Sequence, residues 1–289
     1  MHSSSLSFIL LFSCLAALYS LSGCASAISS ATSNMMNHLS RTILNNDDLS
    51  LVETGAPAYL LMIDSLIAQD PENELMLSTA ADLYAAYADV FVKDKTRSRK
   101  MTQKALTYAS NAMCLARNDA CSLKKTSYKE FETVVSSMTK QDVPVLFSLG
   151  NAWAGWILAN KNDLNAIADM ARIEYIMQKI VELDKTYKDG AAFVYLGTMA
   201  TLLPPALGGR PETGKHHFET ALEISGGKNL MIKVMYAKFY ARMIFDQALH
   251  DQLLNDVLKT DPQIPGYTLI NTYAVQQAKE LLKSSTDYF

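Results

Sequence analysis

His216 and His217 are the residues in this sequence that most directly invite a catalytic or metal-binding interpretation. Adjacent side chains on a helix point about 100° apart, so the two imidazoles cannot chelate one ion as histidines four positions apart do. The sequence also lacks HExxH, Gly-x-Ser-x-Gly and P-loop motifs, and no G-x-G-x-x-G follows a strand. We therefore predict no catalytic residue, no metal site, no cofactor and no enzymatic activity.

A second group of residues has the chemistry of a small-molecule site. Trp153 and Trp156 are the two tryptophans, and residues three positions apart are neighbours on a helix. We expect Trp153 in the core, whereas Trp156 is free to line a cavity, where Asn151 would add a polar contact. The candidate cavity-lining residues are Tyr84, Tyr87, Asn151, Trp156, Tyr195 and Met199, and each of them also suits a place in the core.

Cys114 and Cys121 are the cysteines that lie within the body of the chain. An oxidising compartment outside the cytoplasm favours a disulfide between them. Seven residues of unbroken helix would separate their Cα atoms by about 10.5 Å, which is too far for a disulfide. The pairing therefore requires the helix to end between them, and Asn118-Asp119 is the predicted break. Two unpaired thiols are the alternative, and no nearby histidine completes a metal site.

Cys24 is the third cysteine with a predicted chemistry, because it follows an apolar run from Phe8 to Tyr19. That run is too short for a bilayer core, which needs about 20 residues, but it is typical of a signal peptide. Leu21-Ser22-Gly23-Cys24 resembles the bacterial lipobox, in which the cysteine is acylated and becomes the new N-terminus. The first residues lack Lys and Arg, and a buried apolar helix is the alternative. We expect a signal peptide over residues 1–23, a lipidated tether over 24–34, and a folded body over 35–289 without another apolar stretch of about 20 residues.

The elements that must position these residues are amphipathic helices. Ala166, Met170, Ile173, Met177 and Ile180 recur three or four positions apart, which is the period of a helix. The predicted helices are Asn73–Val92, Lys93–Arg117, Val143–Asn160, Asp163–Asp184, Ala191–Leu203, Pro211–Ile224, Leu230–Phe245, Gln247–Leu258 and Tyr267–Leu282. Glycine (12) and proline (8) are too scarce for the many turns of a β fold, and no strand is predicted.

Four of these helices share a pattern of large, small and aromatic residues. The clearest instances are Leu146, Leu149-Gly150, Trp153 and Phe193, Leu196-Gly197, Ala200; weaker ones are Leu77, Ala80-Ala81, Tyr84 and Lys233, Tyr236-Ala237, Tyr240. The pattern resembles the first helix of a tetratricopeptide (TPR) repeat, where the small residue lets two helices approach closely. The small residues lie 69, 47 and 40 positions apart rather than about 34. We predict an all-α, TPR-like helical-hairpin solenoid with irregular repeats, with a generic helical bundle as the alternative.

The charge balance excludes a nucleic-acid partner. Lys and Arg number 26 against 29 Asp and Glu, which gives a formal net charge of −3. A nucleic-acid-binding domain would instead carry a strong basic excess. The basic run from Lys93 to Lys100 is most simply the solvated start of a helix.

Several segments in order resemble one family, the T-component of TRAP transporters (TatT-like, TPR-containing periplasmic lipoproteins). The matching segments are Leu44 to Asp48, Gly55 to Leu61, Ala80 to Ala88 with Phe91-Val92, Tyr108-Ala109 with Ala112 to Cys114, and Leu207 to Glu212 with His217-Phe218 and Ala221 to Glu223. They cover most of the mature chain. Arg210 departs from the pattern, because an acidic helix cap would be expected there.

The resemblance implies a lipid-anchored periplasmic protein that forms a homotrimer, on either the inner or the outer membrane. It implies a solute-binding P-component as partner, and a pore or cleft that accepts a hydrophobic small molecule. The expected function is therefore a binding component of a TRAP-type solute transport system. A structural TPR scaffold lipoprotein without a small ligand is the alternative, and an envelope hydrolase is a third that lacks a catalytic motif.

Overall fold

The computed structural model describes residues 38–289, and this part of the chain is helical with no strand. The α-helices are α1 (residues 38–44), α2 (Leu49–Gln69), α3 (Glu74–Phe91), α4 (Lys95–Ala116), α5 (Tyr128–Ser136), α6 (Val143–Ala159), α7 (Leu164–Ala168), α8 (Met170–Asp184), α9 (Ala191–Ala200), α10 (Pro211–Ile224), α11 (Met231–Met235), α12 (Gln247–Lys259), α13 (Thr268–Lys283) and α14 (Ser285–Tyr288). A π-helical segment, Tyr236–Ala241, continues α11. The predicted all-α class is confirmed.

Short polar side chains set where several helices begin. The side chains of Asp48, Asn73 and Asp94 each accept a hydrogen bond from the backbone N–H three positions on, at 2.9, 3.0 and 2.7 Å. Ser127 and Glu130 form a reciprocal capping box at the start of α5. Each cap contributes about 1 kcal/mol and satisfies a backbone donor that the helix itself leaves unpaired.

The single helix predicted over Asp163–Asp184 is wrong, because the chain breaks at Asp169 between α7 and α8. The Asp169 carboxylate accepts a hydrogen bond from Trp153 Nε1 at 3.0 Å and lies 3.6 Å from the Arg172 guanidinium. These contacts place a polar side chain where an unbroken helix was expected, and the hydrophobic period alone could not reveal them.

Several other elements differ from the prediction. The segment Leu230–Phe245 is not one regular helix, since α11 passes into the π-helical turn. Helix α9 ends at Ala200 rather than Leu203, close before Pro204 and Pro205. Helices α2 and α5 lie outside the predicted set; Pro57 interrupts the pattern of α2, and α5 has only nine residues.

The helices pack as consecutive hairpins, in which α3 lies against α4, α6 against α8, α9 against α10, and the π-helical segment against α12. A Cβ on Gly150 of α6 would lie only 2.8 Å from Met177 Cε and 2.9 Å from Ile176 Cγ2 of α8. A Cβ on Gly197 of α9 would lie 3.1 Å from the Phe218 ring of α10. The close approach that the small residues predict is therefore confirmed in these two hairpins.

Trp153, three residues after Gly150 on α6, occupies the core, as predicted. Its side chain is fully buried, and its ring meets the buried Phe131 ring edge-on with centroids 6.3 Å apart. One continuous core runs from α2 to α9, and a second lies around α10 to α13. The tryptophan thus joins α6 to α5 and, through Asp169, to the break between α7 and α8.

The end of the chain returns to its beginning. Helix α13 packs against both α12 and α2. Gln263 Nε2 donates to Asp47 Oδ2 at 3.0 Å, and the Gly266 N–H donates to Asn45 Oδ1 at 2.7 Å. Because these pairs lie more than 200 residues apart in sequence, the two ends of the described stack contact each other and the stack closes on itself. We call the side of the stack that carries Asp82, Asn151 and Tyr195 the inner surface.

Helix α2 is the one described helix that is long and apolar enough to cross a membrane by length and composition, with a mean hydropathy of 1.3 over its best window. That window contains both Glu53 and Asp64, so it is not an uninterrupted apolar stretch of about 20 residues. The mean is raised chiefly by the leucines and isoleucines between Leu60 and Ile67. The helix packs on α3 and carries Asp64, whose carboxylate pairs with Lys104 at 2.5 Å, so its contacts are those of a helix of the folded body.

Candidate functional site

The inner surface is built from positions that follow the small residue of each hairpin's first helix. The small residues are buried or face the second helix of their hairpin; they are Ala81, Gly150 and Ala237. The residue that follows each of them lies about 100° further round the helix, so its side chain points away from the second helix. Asp82, Asn151 and Lys238 occupy this place, and all three are polar. Asp89 follows Asp82 by seven residues, two helical turns along the same face of α3. We call Asp82, Asn151 and Tyr195, which hydrogen bonds connect in series, the inner polar set.

Three helices are joined by a chain of hydrogen bonds across this surface. Tyr195 Oη on α9 donates to Asn151 Oδ1 on α6 at 2.6 Å, and Asn151 Nδ2 donates to Asp82 Oδ1 on α3 at 3.2 Å. Lys188 Nζ then reaches the other carboxylate oxygen of Asp82 at 2.7 Å. Every polar atom in this chain has a partner, so the network fixes the relative positions of α3, α6 and α9.

Aromatic rings line the wall beside the network. The Phe147 ring lies 5.4 Å from the Tyr187 ring and 6.1 Å from the Tyr195 ring, and the Lys188 ammonium lies 4.7 Å from the Phe147 centroid. Burial, together with the negative charges of Asp82 and Asp184, raises the pKa of Tyr187 to about 12. The phenol therefore stays protonated and neutral at physiological pH.

Tyr195 is half-buried. Burial is the main reason that its pKa is raised, and the charges of Asp89 and Asp82 act in the same direction. Asp89 is exposed to solvent; nearby protein nevertheless raises the pKa of its carboxyl by desolvation, an effect that the charge of Lys238 partly offsets.

The turn that carries Lys188 has an unusual backbone. Lys188 and Asp189 have φ values of 46° and 55°, and Gly190 follows at 78°. Left-handed conformations are costly for residues with a Cβ, by about 1 kcal/mol or more each, and persist where other contacts hold them. Here Lys188 bonds Asp82, and the Tyr267 hydroxyl just before α13 donates to the Asp189 carboxylate. The turn thus ties α3 to the segment just before α13.

The structure brings together only two of the predicted cavity-lining residues, Asn151 and Tyr195. The Tyr84 hydroxyl instead donates to Asp64 Oδ2 at 2.7 Å, and the Tyr87 hydroxyl donates to the Glu53 carbonyl at 3.0 Å. Both tyrosine side chains are buried. They tie α3 to α2 rather than joining Asn151.

Trp156 and Met199 lie away from that pair as well. The Lys124 ammonium lies 3.2 Å from the centre of the Trp156 ring, and burial lowers the pKa of this lysine. Met199 is half-buried against the main core. Trp156 is therefore covered by a cation from the loop after α4.

Cys114 and Cys121 form a disulfide whose Cα atoms are 4.1 Å apart. Helix α4 ends at Ala116, and a 3-10 turn, Asn118–Ala120, brings Cys121 back, so the helix breaks where the sequence predicts. The loop forms one wall of a cavity of about 320 Å³ that also touches Lys124 and Trp153. Cys24, the predicted lipidation site, lies outside the described residues.

Leu207-Gly208-Gly209-Arg210-Pro211 forms a tight connection between α9 and α10. A Cβ on Gly209 would overlap the Leu203 carbonyl, so only glycine fits. Arg210 makes no side-chain cap on α10; its guanidinium pairs with Glu174 of α8. With arginine instead of an acidic residue at this position, α10 has no side-chain N-cap, and an ion pair links Arg210 to α8 of the neighbouring hairpin.

The adjacent histidines diverge on α10. The His217 ring lies 5.8 Å from the Phe193 ring, and burial lowers its pKa. Within residues 38–289, no group of three or more His, Cys, Asp and Glu side chains is placed to hold a metal ion.

Asp82 of the inner polar set, and Lys188, which pairs with it, were missed by the sequence reasoning. A usable signal was present for Asp82, since it stands at the same offset from the small residue as Asn151. Lys188 lies in a turn, for which the helical pattern gives no signal.

Comparison with known proteins gives the chain a family. No curated protein matches it. Residues 45–289 match the family described as TRAP transporter T-component, and this range spans every helix from α2 to α14. The chain therefore belongs to the TRAP transporter T-component family, and it is a component of a TRAP-type transport system.

Proposed function

We propose that this protein is a lipid-anchored periplasmic component of a TRAP-type solute transport system, and that it acts by binding rather than by catalysis. It would bind the solute-binding P-component and accept a small, partly hydrophobic ligand on its inner surface. The observation that carries this proposal is the closed stack of helical hairpins, with an accessible polar and aromatic interior, in a chain of the T-component family. The stack is best described as a TPR-like solenoid with irregular repeats.

The inner surface supports ligand binding because it combines fixed polar groups with aromatic walls. Binding sites for small molecules are concave and carry a few placed polar atoms among apolar ones. Asn151 and Tyr195 supply such atoms, and Phe147 supplies an apolar wall. Because hydrogen bonds within the protein hold the two polar side chains, little conformational entropy would be lost on binding.

The start of the described chain supports assembly into a homotrimer. Leu44, Leu51, Leu61 and Leu75 are 46 to 70% exposed, and an apolar groove of about 390 Å³ runs between α1 and α2. Exposed leucines beside an apolar groove are typical of surfaces that another protein covers. We infer that this face is covered by other copies of the chain.

The proposed lipid anchor is Cys24, behind a signal peptide over residues 1–23 and within a tether over 24–34. Cys24→Ala should abolish incorporation of labelled fatty acid, while Cys114→Ala should leave it intact. Fatty-acid labelling of cells that express each variant measures this, and continued labelling of Cys24→Ala would exclude the anchor.

The partner is tested by mixing the purified protein with the P-component of the same bacterium. Size-exclusion chromatography with light scattering should give a complex whose mass equals that of the T-component assembly plus bound P-component. The mixture is loaded at a protein concentration of about 100 μM, which is 100-fold above a dissociation constant of about 1 μM. If the two proteins still elute separately, the partner assignment is wrong and a ligand-free scaffold is favoured.

A further inference from the structure

Five cations lie together at the turn between α3 and α4. They are Lys93, Lys95, Arg97, Arg99 and Lys100, and we call them the basic cluster. All five residues are exposed, and within residues 38–289 none of their side chains forms an ion pair or donates a hydrogen bond. Asp94, the carboxylate among them, caps α4 by accepting a hydrogen bond from the backbone N–H of Arg97 at 2.7 Å. The positive charge of the cluster is therefore presented to whatever lies against this turn.

Helix stability does not account for where these charges lie. Lys95 and Arg97 stand in the first turn of α4, at the positive end of the helix dipole, where cations are unfavourable. Lys95 and Arg99 are four positions apart, and like charges at that spacing destabilise a helix. A layer of anions over the cluster would relieve both effects.

The basic cluster lies beside the start of α2. The Arg97 guanidinium is 5.7 Å from the centre of the Tyr87 ring, and the Tyr87 hydroxyl donates to the carbonyl of Glu53, near the start of α2, at 3.0 Å. Helix α2 follows α1, and α1 follows the proposed tether in the sequence. The cluster and the part of the chain that leads to the proposed anchor at Cys24 therefore share one end of the first hairpin.

The opposite end of the same hairpin carries the opposite charge. Asp70, Glu72 and Glu74, around the turn between α2 and α3, are exposed and form no ion pair within residues 38–289. Helix α3, with 18 residues, is about 27 Å long, which is about three Debye lengths at physiological ionic strength. The two ends therefore act independently, and an anionic surface attracts one end while it repels the other.

We propose that the basic cluster docks on the anionic phospholipid surface of the membrane that holds the anchor, with lipid phosphates paired to its lysines and arginines. Docking at this end directs α3 and α4 away from the bilayer and keeps the acidic turn between α2 and α3 clear of it. An acyl chain alone leaves the protein free to tilt on its tether, whereas the cluster fixes which end faces the lipid. This inference rests on the proposed lipid anchor.

Sedimentation with vesicles tests the proposal on the full chain carrying Cys24→Ala, so that no acyl chain at Cys24 contributes. Phosphatidylcholine vesicles are the neutral probe, and vesicles with about one third phosphatidylglycerol are the anionic probe. In about 50 mM salt the protein should partition at least ten-fold more strongly onto the anionic vesicles, and about 500 mM salt should abolish the preference. Equal partition onto both kinds of vesicle would overturn the proposal.

A charge-reversal variant assigns the binding to the cluster. Lys93→Glu with Lys100→Glu should weaken partition onto the anionic vesicles at least ten-fold, because each lysine near such a surface contributes about five-fold. Lys279→Glu with Lys283→Glu is the matched control, since it changes the net charge equally at exposed positions near the far end of α13. Circular dichroism confirms that both variants are folded. If the control loses as much binding as the cluster variant, net charge rather than the cluster drives binding and the proposal is wrong.

These measurements separate the inference from the proposed anchor and from a protein partner. Fatty-acid labelling at Cys24 without a preference for anionic vesicles would leave the anchor and remove the docking surface, and the preference without labelling would do the reverse. If the folded cluster variant binds anionic vesicles as the parent does but no longer forms a complex with the P-component, the cluster belongs to that protein and the lipid assignment is wrong.

Discussion

Gly150 provides a quantitative test of how the hairpins are packed. In a helix, replacing glycine by alanine stabilises by about 1 kcal/mol through backbone entropy alone. At Gly150 the new methyl group would lie 2.8 Å from Met177 Cε and 2.9 Å from Ile176 Cγ2, both on fully buried side chains. The Met177 methyl can move, but the branched Ile176 is held at its first side-chain torsion.

Overpacking of this kind typically costs about 1–3 kcal/mol. The net expectation for Gly150→Ala is therefore a loss of about 1 kcal/mol. Gly55→Ala in α2 is the matched control, because no atom lies within 4 Å of its Cβ position, and we expect it to gain up to about 1 kcal/mol. The two variants should thus differ in free energy of unfolding by about 2 kcal/mol.

Urea unfolding followed by circular dichroism measures the difference. A second pair of variants, Ile176→Ala alone and together with Gly150→Ala, removes the crowded Ile176 Cγ2 methyl group, so the cost of Gly150→Ala should fall in that background. If Gly150→Ala is as stable as Gly55→Ala, the close contact between α6 and α8 does not exist as described.

Two further predictions concern the framework around the inner surface. Burial acts to raise the pKa of Asp64, but hydrogen bonds from Lys104, Tyr108 and Tyr84 outweigh it, so the pKa is lowered. The stability that this carboxylate contributes is therefore present at pH values above its ordinary pKa of 3.8. It is lost as the pH falls through the lower pKa of the folded state. Asp64→Asn should cost about 2 kcal/mol at pH 7, and the difference from the parent in urea unfolding should shrink below about pH 4; a constant difference across that range would contradict the assignment. Peptides that contain Cys114 and Cys121 should react with iodoacetamide only after reduction, and Cys114→Ser with Cys121→Ser should cost about 2–3 kcal/mol; labelling without reductant would show free thiols.

The helices were largely predictable because their signals are local. Hydrophobic period, polar caps and Pro211 at a helix start place most of them within two or three residues of the observed bounds. The break at Asp169 was not predictable, because it coincides with a hydrogen bond from Trp153, sixteen residues away. Helix α2 was missed because Pro57 interrupts its pattern and tertiary contacts override the local signal.

The inner surface was predictable only in part. Asn151 and Tyr195 were chosen for their residue types, and the structure joins them at 2.6 Å. Tyr84 was chosen on the same grounds, yet it serves Asp64, since residue type does not reveal which face of a helix meets which neighbour. Closure of the stack depends on contacts between residues more than 200 positions apart, for which one sequence gives no signal.

Native mass spectrometry of the protein purified from its own envelope tests the central claim most directly. The account predicts a trimeric mass with a small molecule retained in each copy and released on denaturation. A monomer that carries no small molecule would contradict it, and the closed stack would then serve only as a scaffold.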